Sequence, residues 1–445
     1  MVKIQLSDHF TYSKLLRFVY PSIVMMVFTS IYSVVDGYFV SNFVGKTPFA
    51  ALNLIFPVAG VFGAVGFMVG TGGSAIVART LGEGRPEDAN RYFSMMVEAT
   101  VASGVVLTLL ALWLMRPIAV LLKAEGEMLE YSVLYGCVLS LGLVPFMLQN
   151  VFQSFLVAAE RPKLGLAVTA AAGVTNMVLD LLFIAVFRWG LAGAAAATAL
   201  SQAVGGVIPL VYFISGKNDV LRLSWAKPEW RVLLDTCTNG FSEVMSNISS
   251  AVVGILYNLQ LMRLAGENGV AAFGTIMYVN FFFLAISLGY SIGSSPIISY
   301  HYGAENYQEL QGLFKKSMLL NGATGLVMTA ASILFAKPVT AIFVGYDPEL
   351  FALTSQGFLV YSLRYLFSSI VIFGSGFFTA LGDGLTSAVI SFLRAIVFQV
   401  ASILLLPVLF GVDGIWLVGI TAETLAVTVA AFFFWAKRDQ FHYIA

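Results

Sequence analysis

The sequence predicts an all-α polytopic membrane protein with twelve transmembrane helices in two pseudo-symmetric six-helix lobes. Three observations carry that expectation. Of 445 residues, 59% are hydrophobic and only 11% charged, with a mean hydropathy of +0.87; soluble domains carry about 25% charged residues. The apolar residues fall in runs of about 20 or more, the length that crosses a hydrocarbon core about 30 Å thick. A shift of 221 residues then lays one half of the chain on the other.

This composition excludes a soluble multidomain enzyme. Lysine plus arginine (24) balance aspartate plus glutamate (24), and the lack of a basic tract argues against a nucleic-acid partner. Cys137 and Cys237 stand in separate apolar segments, which speaks against a disulfide framework or a metal cluster. The first apolar run, Leu15 to about Val44, is too long for a signal-peptide core and has no small-residue cleavage site, so it reads as a retained membrane helix.

Taken in order, the spans fall at about 15–44, 49–80, 92–114, 130–158, 164–187 and 190–214, then 231–264, 270–301, 313–336, 350–380, 386–410 and 414–436. Several exceed 25 residues, as tilted spans do. With the amino terminus inside, the inner segments hold 16 Lys/Arg and the outer ones 6. The positive-inside rule thus places both termini in the cytoplasm. The segment from Lys3 to Arg17 reads as a short solvated lead-in, or else as an amphipathic stretch on the inner membrane face.

The repeat divides the chain into an N-lobe (1–215), a charged cytoplasmic linker (216–230) and a C-lobe (231–445). At the 221 offset Gly72 and Gly82 fall on Gly293 and Gly303, and Gly190 and Gly193 on Gly411 and Gly414. Six spans per repeat leave both halves in one orientation, related by an axis along the membrane normal, an arrangement suited to alternating access. Gly60, Gly63, Gly66 and Gly70 in span 2, and Gly289 with Gly293 in span 8, allow close helix packing. Pro21, Pro57, Pro145, Pro209, Pro296 and Pro407 are expected bends.

Intramembrane charge costs on the order of 2.5–3.5 kcal/mol at mid-bilayer, so the ionisable residues inside spans are the functional candidates. Glu98 is close enough to Arg91 for an interfacial position, and Arg394 and Glu423 share a depth that suits a structural ion pair. Asp36 lies about 13 Å below the outer end of its span, Asp180 about 10 Å and Thr198 about 12 Å. Asn176 is one turn from Asp180 on the same face. Two carboxylates, an amide and a hydroxyl therefore converge at one depth, and such oxygen ligation suits a hard cation such as Na⁺. The carboxylate pair can alternatively hold a proton. At the offset, Asp36, Asn176 and Asp180 map to Tyr257, Val397 and Ala401, so the other half lacks them. Glu243 and Arg364 either face the central cleft and contact substrate or neutralise each other. Met177 and Phe281, with neighbouring methionines and phenylalanines, are candidates for an adaptable apolar pocket.

The motifs "PSIVMMVFTSIYSVVDGYFV", "GTGGSAIVARTLGEG" and "NMVLDLLFI", followed by "RLAGENGVAAFG", "FFTALGDGLTSAVIS" and "GVDGIWL", resemble in order those of the MATE (multidrug and toxic compound extrusion) transporters over nearly the whole chain. The resemblance implies two six-helix lobes around a V-shaped cleft. It also implies antiport of organic cations or other amphiphiles against Na⁺ or H⁺. It assigns the coupling site to Asp36, Asn176, Asp180 and Thr198, with Asn150 as the match to a span-4 asparagine; Asp36 and Asp180 would hold Na⁺ in a sodium-coupled member. Glu243 resembles the span-7 acid of a second group, but Arg364 and Phe367 stand in span 10 without its accompanying Asp, which favours coupling in the first lobe. The expected protein is therefore no enzyme and needs no cofactor beyond the coupling ion. It would be a monomer in the plasma membrane acting on small amphiphiles. The rival expectation is a flippase for a lipid-linked oligosaccharide, whose cavity should be more cationic and for which Arg364 and Arg394 are the candidates.

Overall fold

The structure of the chain is a computed structural model that describes residues 4–225 and 227–444, with the backbone alone for Ser33 and Lys46. Lys3, counted above with the inner basic residues, lies outside the described residues, as does the Lys46 side chain. The described residues form helices and short connections, with no strand among them. In order these are α1 (Tyr12–Phe39), α2 (Lys46–Gly82), α3 (Pro86–Leu121), α4 (Gly126–Leu141), α5 (Leu143–Ala158), α6 (Pro162–Asp180) and α7 (Gly190–Ile214). There follow α8 (Trp230–Gly303), α9 (Tyr307–Val344), α10 (Pro348–Ser362), α11 (Tyr365–Leu381), α12 (Gly384–Phe392), α13 (Phe398–Ala436) and α14 (Arg438–Phe441). Eight stretches are long and apolar enough to cross a bilayer, ten when each of two bent pairs counts as one.

Local sequence explains the breaks. A straight helix of 74 residues would be about 110 Å long. α8 instead breaks at Gly266, where φ 60° and ψ −148° are open to glycine alone at low cost. Gly411 (φ 58°) breaks α13 in the same way. Both glycines fall in the gaps expected between spans. The stretches expected as continuous at 130–158 and 350–380 are bent, by 55° between α4 and α5 and by 47° between α10 and α11. Pro145 has no N–H to donate to Leu141, which frees the chain to turn at Gly142. No proline serves α10/α11. There the backbone tightens to three-residue hydrogen bonds, Leu363 N to Val360 O and Arg364 N to Tyr361 O (both 3.2 Å).

The two halves of the chain meet through α1 and α2 against α8. Backbones touch there because glycine has no side chain to hold them apart. A Cβ on Gly82 would stand 2.1 Å from Tyr300 O, and one on its repeat counterpart Gly303 would stand 2.1 Å from Arg79 O. Gly72 crosses Thr236 and Gly240, and Gly289 crosses Ser22 and Ile23. In α2, Gly63, Gly66 and Gly70 seat Phe146, Met147 and Asn150 of α5, whereas Gly60 faces open space.

The amino-terminal lead-in is anchored by its apolar residues, while Gln5, Ser7, His9 and Thr11 stay exposed. Leu6 and Phe10 are buried with Leu310, Phe314 and Phe441. Leu6 N donates to Glu160 Oε1 (2.8 Å) in the first half, and Phe10 N to Glu309 Oε1 (2.9 Å) in the second. Its apolar residues outweighed its charges because a buried patch of α9 was there to receive them. The linker is likewise docked: Arg91 pairs with Glu229 (2.7 Å), and buried Asn218 caps Val220 N and Leu221 N.

Candidate coupling site

Asp36 comes four residues before α1 gives way to a π-helical turn, Val40–Val44, and Asp180 is the last residue of α6 before another, Leu181–Val186. A π-turn displaces one backbone hydrogen bond, and such turns occur often at functional sites. Asp36 and Asp180 approach each other where α1 packs on α6, within electrostatic reach. Both are buried, Asp180 completely. No protein N–H or O–H reaches Asp36 Oδ1 or either oxygen of Asp180.

Around the pair the remaining groups arrive from α4, α5, α6 and α7. Asn176 Nδ2 donates to Thr198 Oγ1 (3.5 Å), which turns Asn176 Oδ1 away, buried and without a donor. A cavity of about 170 Å³ adjoins them, lined by Asp36, Asn176 and Thr198 and also by Asn150, Gln149, Gln202 and Tyr32. Asn150, the match to the span-4 asparagine, lines the same cavity as Asp36. The oxygens of Gln149 and Gln202 are buried without donors as well. Six oxygens on five residues therefore have no protein donor. A buried acceptor left unpaired costs about 1–3 kcal/mol; a cation, a proton or water from the adjoining cavity would satisfy these oxygens.

Sequence reasoning missed Gln149, Gln202 and Tyr135. The Tyr135 hydroxyl is buried, unpartnered and within electrostatic reach of both acids. These are neutral side chains, so no insertion cost marks them out. For Gln202 the signal was its place one turn after Thr198 on α7.

The second group of candidates does not assemble. Arg364 does not neutralise Glu243. It is buried on Glu423 (Nη2 to Oε1, 3.0 Å) and on the Tyr361 hydroxyl. Arg394 grips the same carboxylate with Nε at 3.1 and 3.0 Å and Nη2 at 2.8 Å. The Arg394–Glu423 pair is therefore as expected, and Arg364 joins it. An acid shared by two guanidiniums outcompetes the unpartnered Glu243, which stands half-buried on α8. Met177 is half-buried outside the cavity lining, and Phe281 is 54% exposed. Glu98 is exposed on α3. Among the described residues no group of three or more His, Cys, Asp or Glu is placed to hold a metal.

Comparison with known proteins places the chain and its fold. The MatE family model matches twice, at residues 21–182 and 244–405, so the second match starts 223 residues after the first. The multidrug export protein MepA of Staphylococcus saprophyticus is 25% identical over 444 residues, covering 96% of this chain and 94% of its own. MepA of Staphylococcus aureus MRSA252 is 24% identical over 439 residues with the same coverage. Among solved structures, a MATE protein in complex with MaL6 superposes with a TM-score of 0.93 at 22% identity over 99% of both chains. An outward-facing multidrug resistance MATE transporter of the MOP superfamily gives the same three figures. At that identity the superposition establishes the fold.

Proposed function

The chain belongs to the MatE family, and from that membership we propose that it is a secondary active antiporter. It exports organic cations or other amphiphiles in exchange for Na⁺ or H⁺ by alternating access. The relatives known as multidrug export proteins support the substrate class. The architecture we propose has twelve spans. The breaks at Gly266 and Gly411, which divide two of the ten stretches, support six spans in each half, and the Lys/Arg count supports cytoplasmic termini. The two matches to the family model support a pair of pseudo-symmetric lobes.

One observation carries the coupling mechanism: two acids of the first half, three of their four carboxyl oxygens without a protein donor, stand beside a cavity whose largely apolar wall also carries Gln149, Asn150, Asn176 and Gln202. Two ionised carboxylates about 4 Å apart repel by on the order of 4 kcal/mol at an effective dielectric of about 20. Na⁺ or a proton entering between Asp36 and Asp180 removes that repulsion and draws α1 towards α6. Because Asp36 also lines the cavity, the same movement reshapes the wall against which substrate would lie. Ion and substrate then compete through the position of α1. At about 100 mV one inward charge supplies about 2.3 kcal/mol, enough for more than tenfold accumulation at about 1.4 kcal/mol per decade.

The flippase expectation rested on Arg364 and Arg394 making a cavity cationic. Both are held on Glu423, and neither lines the cavity beside Asp36. The test is transport of a fluorescent organic cation into inside-out vesicles, with Na⁺ and pH gradients imposed separately. Uptake should follow one of the two gradients and vanish in Asp36→Asn and Asp180→Asn. Uptake indifferent to both gradients would overturn the proposal.

A further inference from the structure

The repeat relates the coupling cavity to a second place in the fold, and that place is filled. In the first half the hinge between α4 and α5 is Gly142, whose Cβ would stand 3.2 Å from Gln202 Oε1. In the second half the hinge between α10 and α11 carries Arg364, bonded to Glu423. Glu423 is the 221-offset counterpart of Gln202. Tyr257, counterpart of Asp36, is buried within electrostatic reach of both Arg364 and Glu423. Gly419, counterpart of Thr198, lies under the arginine: a Cβ there would stand 3.2 Å from Arg364 Cδ. Where the first half presents six oxygens without donors, the second presents a guanidinium seated on a carboxylate and on the Tyr361 phenol, with the Tyr257 hydroxyl beside them left unpartnered.

We propose that Arg364 is a tethered cation: it occupies, on a covalent leash, the place in the second half that an exchangeable cation takes between Asp36 and Asp180 in the first. The consequence is an asymmetric machine with one exchangeable cation site per chain. The C-terminal half keeps its cation throughout the cycle, and only the N-terminal half answers the ion gradient. The charge balance agrees. With Arg394 on the same acid, the cluster holds two guanidiniums against one carboxylate, and that surplus positive charge repels any further cation. Glycine at position 419 fits the same role, because the tether crosses where the first half has a threonine side chain.

The inference rests on the antiport reading for the word exchangeable, and two measurements on the intact purified protein separate them. The first counts bound cations by equilibrium binding of radioactive Na⁺ and, in its absence, by proton uptake. Wild type should bind one, Asp180→Asn none, and Arg364→Lys one. The Arg364→Leu/Arg394→Leu double variant should bind two, because Glu423 then requires a cation from solution. A folded double variant that still binds one overturns the tethered-cation proposal and leaves antiport standing. A wild-type count of zero removes the antiport reading, while a gained cation in the double variant would still uphold the assignment of Arg364. The second measurement does not depend on the double variant folding. Arg364→Ala keeps Glu423 paired with Arg394 and opens the seat. Millimolar methylguanidinium should raise its melting temperature and leave wild type unmoved, whereas methylurea, its neutral isostere, should do nothing. Equal responses to the two solutes would show that the seat does not select for charge, and the proposal would fall.

Discussion

Gly82→Ala tests how the halves are held together. Its new Cβ would stand 2.1 Å from Tyr300 O and 2.9 Å from Ala304 N. Both obstacles are backbone, so no rotamer change relieves the clash and α2 must retreat from α8 by about 1 Å to restore van der Waals contact. Overpacking of this kind costs about 1–3 kcal/mol. The cost falls only on the conformation in which the two backbones touch, so it acts on a conformational equilibrium more than on folding, and about 1–3 kcal/mol shifts that equilibrium about 5- to 150-fold. The reporter is Thr236→Cys, with Cys137 and Cys237 changed to serine. Thr236 is buried at the crossing with Gly72, and its hydroxyl bonds only within its own helix, to Val232 O. Maleimide labelling at that cysteine should accelerate by the same factor in Gly82→Ala and in Gly303→Ala, which meets the reciprocal backbone at Arg79 O. Unchanged labelling in folded protein would refute the view that these glycines hold one state of the cycle shut.

Three further outcomes follow from single contacts. Glu423→Gln leaves buried Arg364 and half-buried Arg394 without their acid and should cost about 3–5 kcal/mol in thermal or denaturant unfolding; Glu130→Gln, which breaks the exposed Arg116 pair, should cost under about 1 kcal/mol. Gly60 has nothing within 4 Å of its would-be Cβ and lines the cavity of about 170 Å³, so Gly60→Leu should fold and melt as wild type yet lose most substrate uptake in vesicles. Thr198→Val removes the acceptor of the Asn176 amide. A hydrogen bond of about 0.5–1.5 kcal/mol makes this about a two- to tenfold rise in the Na⁺ or proton concentration giving half-maximal transport, with the maximal rate retained.

Much of this was legible because the signals were strong and local. Charges inside apolar runs stand out against their insertion cost, and Asp36 and Asp180 could be brought to one depth by counting helical rise alone. The gaps left between the expected spans contain Gly266 and Gly411, and the chain breaks there because no other residue adopts their backbone angles cheaply. Other features depended on tertiary partners. The bend at Leu363 and Arg364 has no proline; Arg364 anchored on Glu423, 59 residues away, stands where the chain turns. The π-turns after Asp36 and Asp180 leave no mark in residue types. Gln149, Gln202 and Tyr135 carry no charge to draw attention, and Leu6 and Phe10 looked like part of a charged lead-in until a patch on α9 received them. Arg364 shows how far pairing by residue position can mislead: the sequence offered it Glu243 or substrate and assigned Glu423 to Arg394, whereas helix packing set both arginines on Glu423.

The central claim is that Asp36 and Asp180 convert an ion gradient into substrate movement. Linkage makes the claim measurable without a membrane, since an ion that weakens substrate binding must itself be expelled when substrate binds. Substrate titrated onto purified protein in weakly buffered solution should release Na⁺ or protons stoichiometrically from wild type and release neither from Asp36→Asn. Binding that sheds no ion from wild type, or equal release from the variant, would contradict the account.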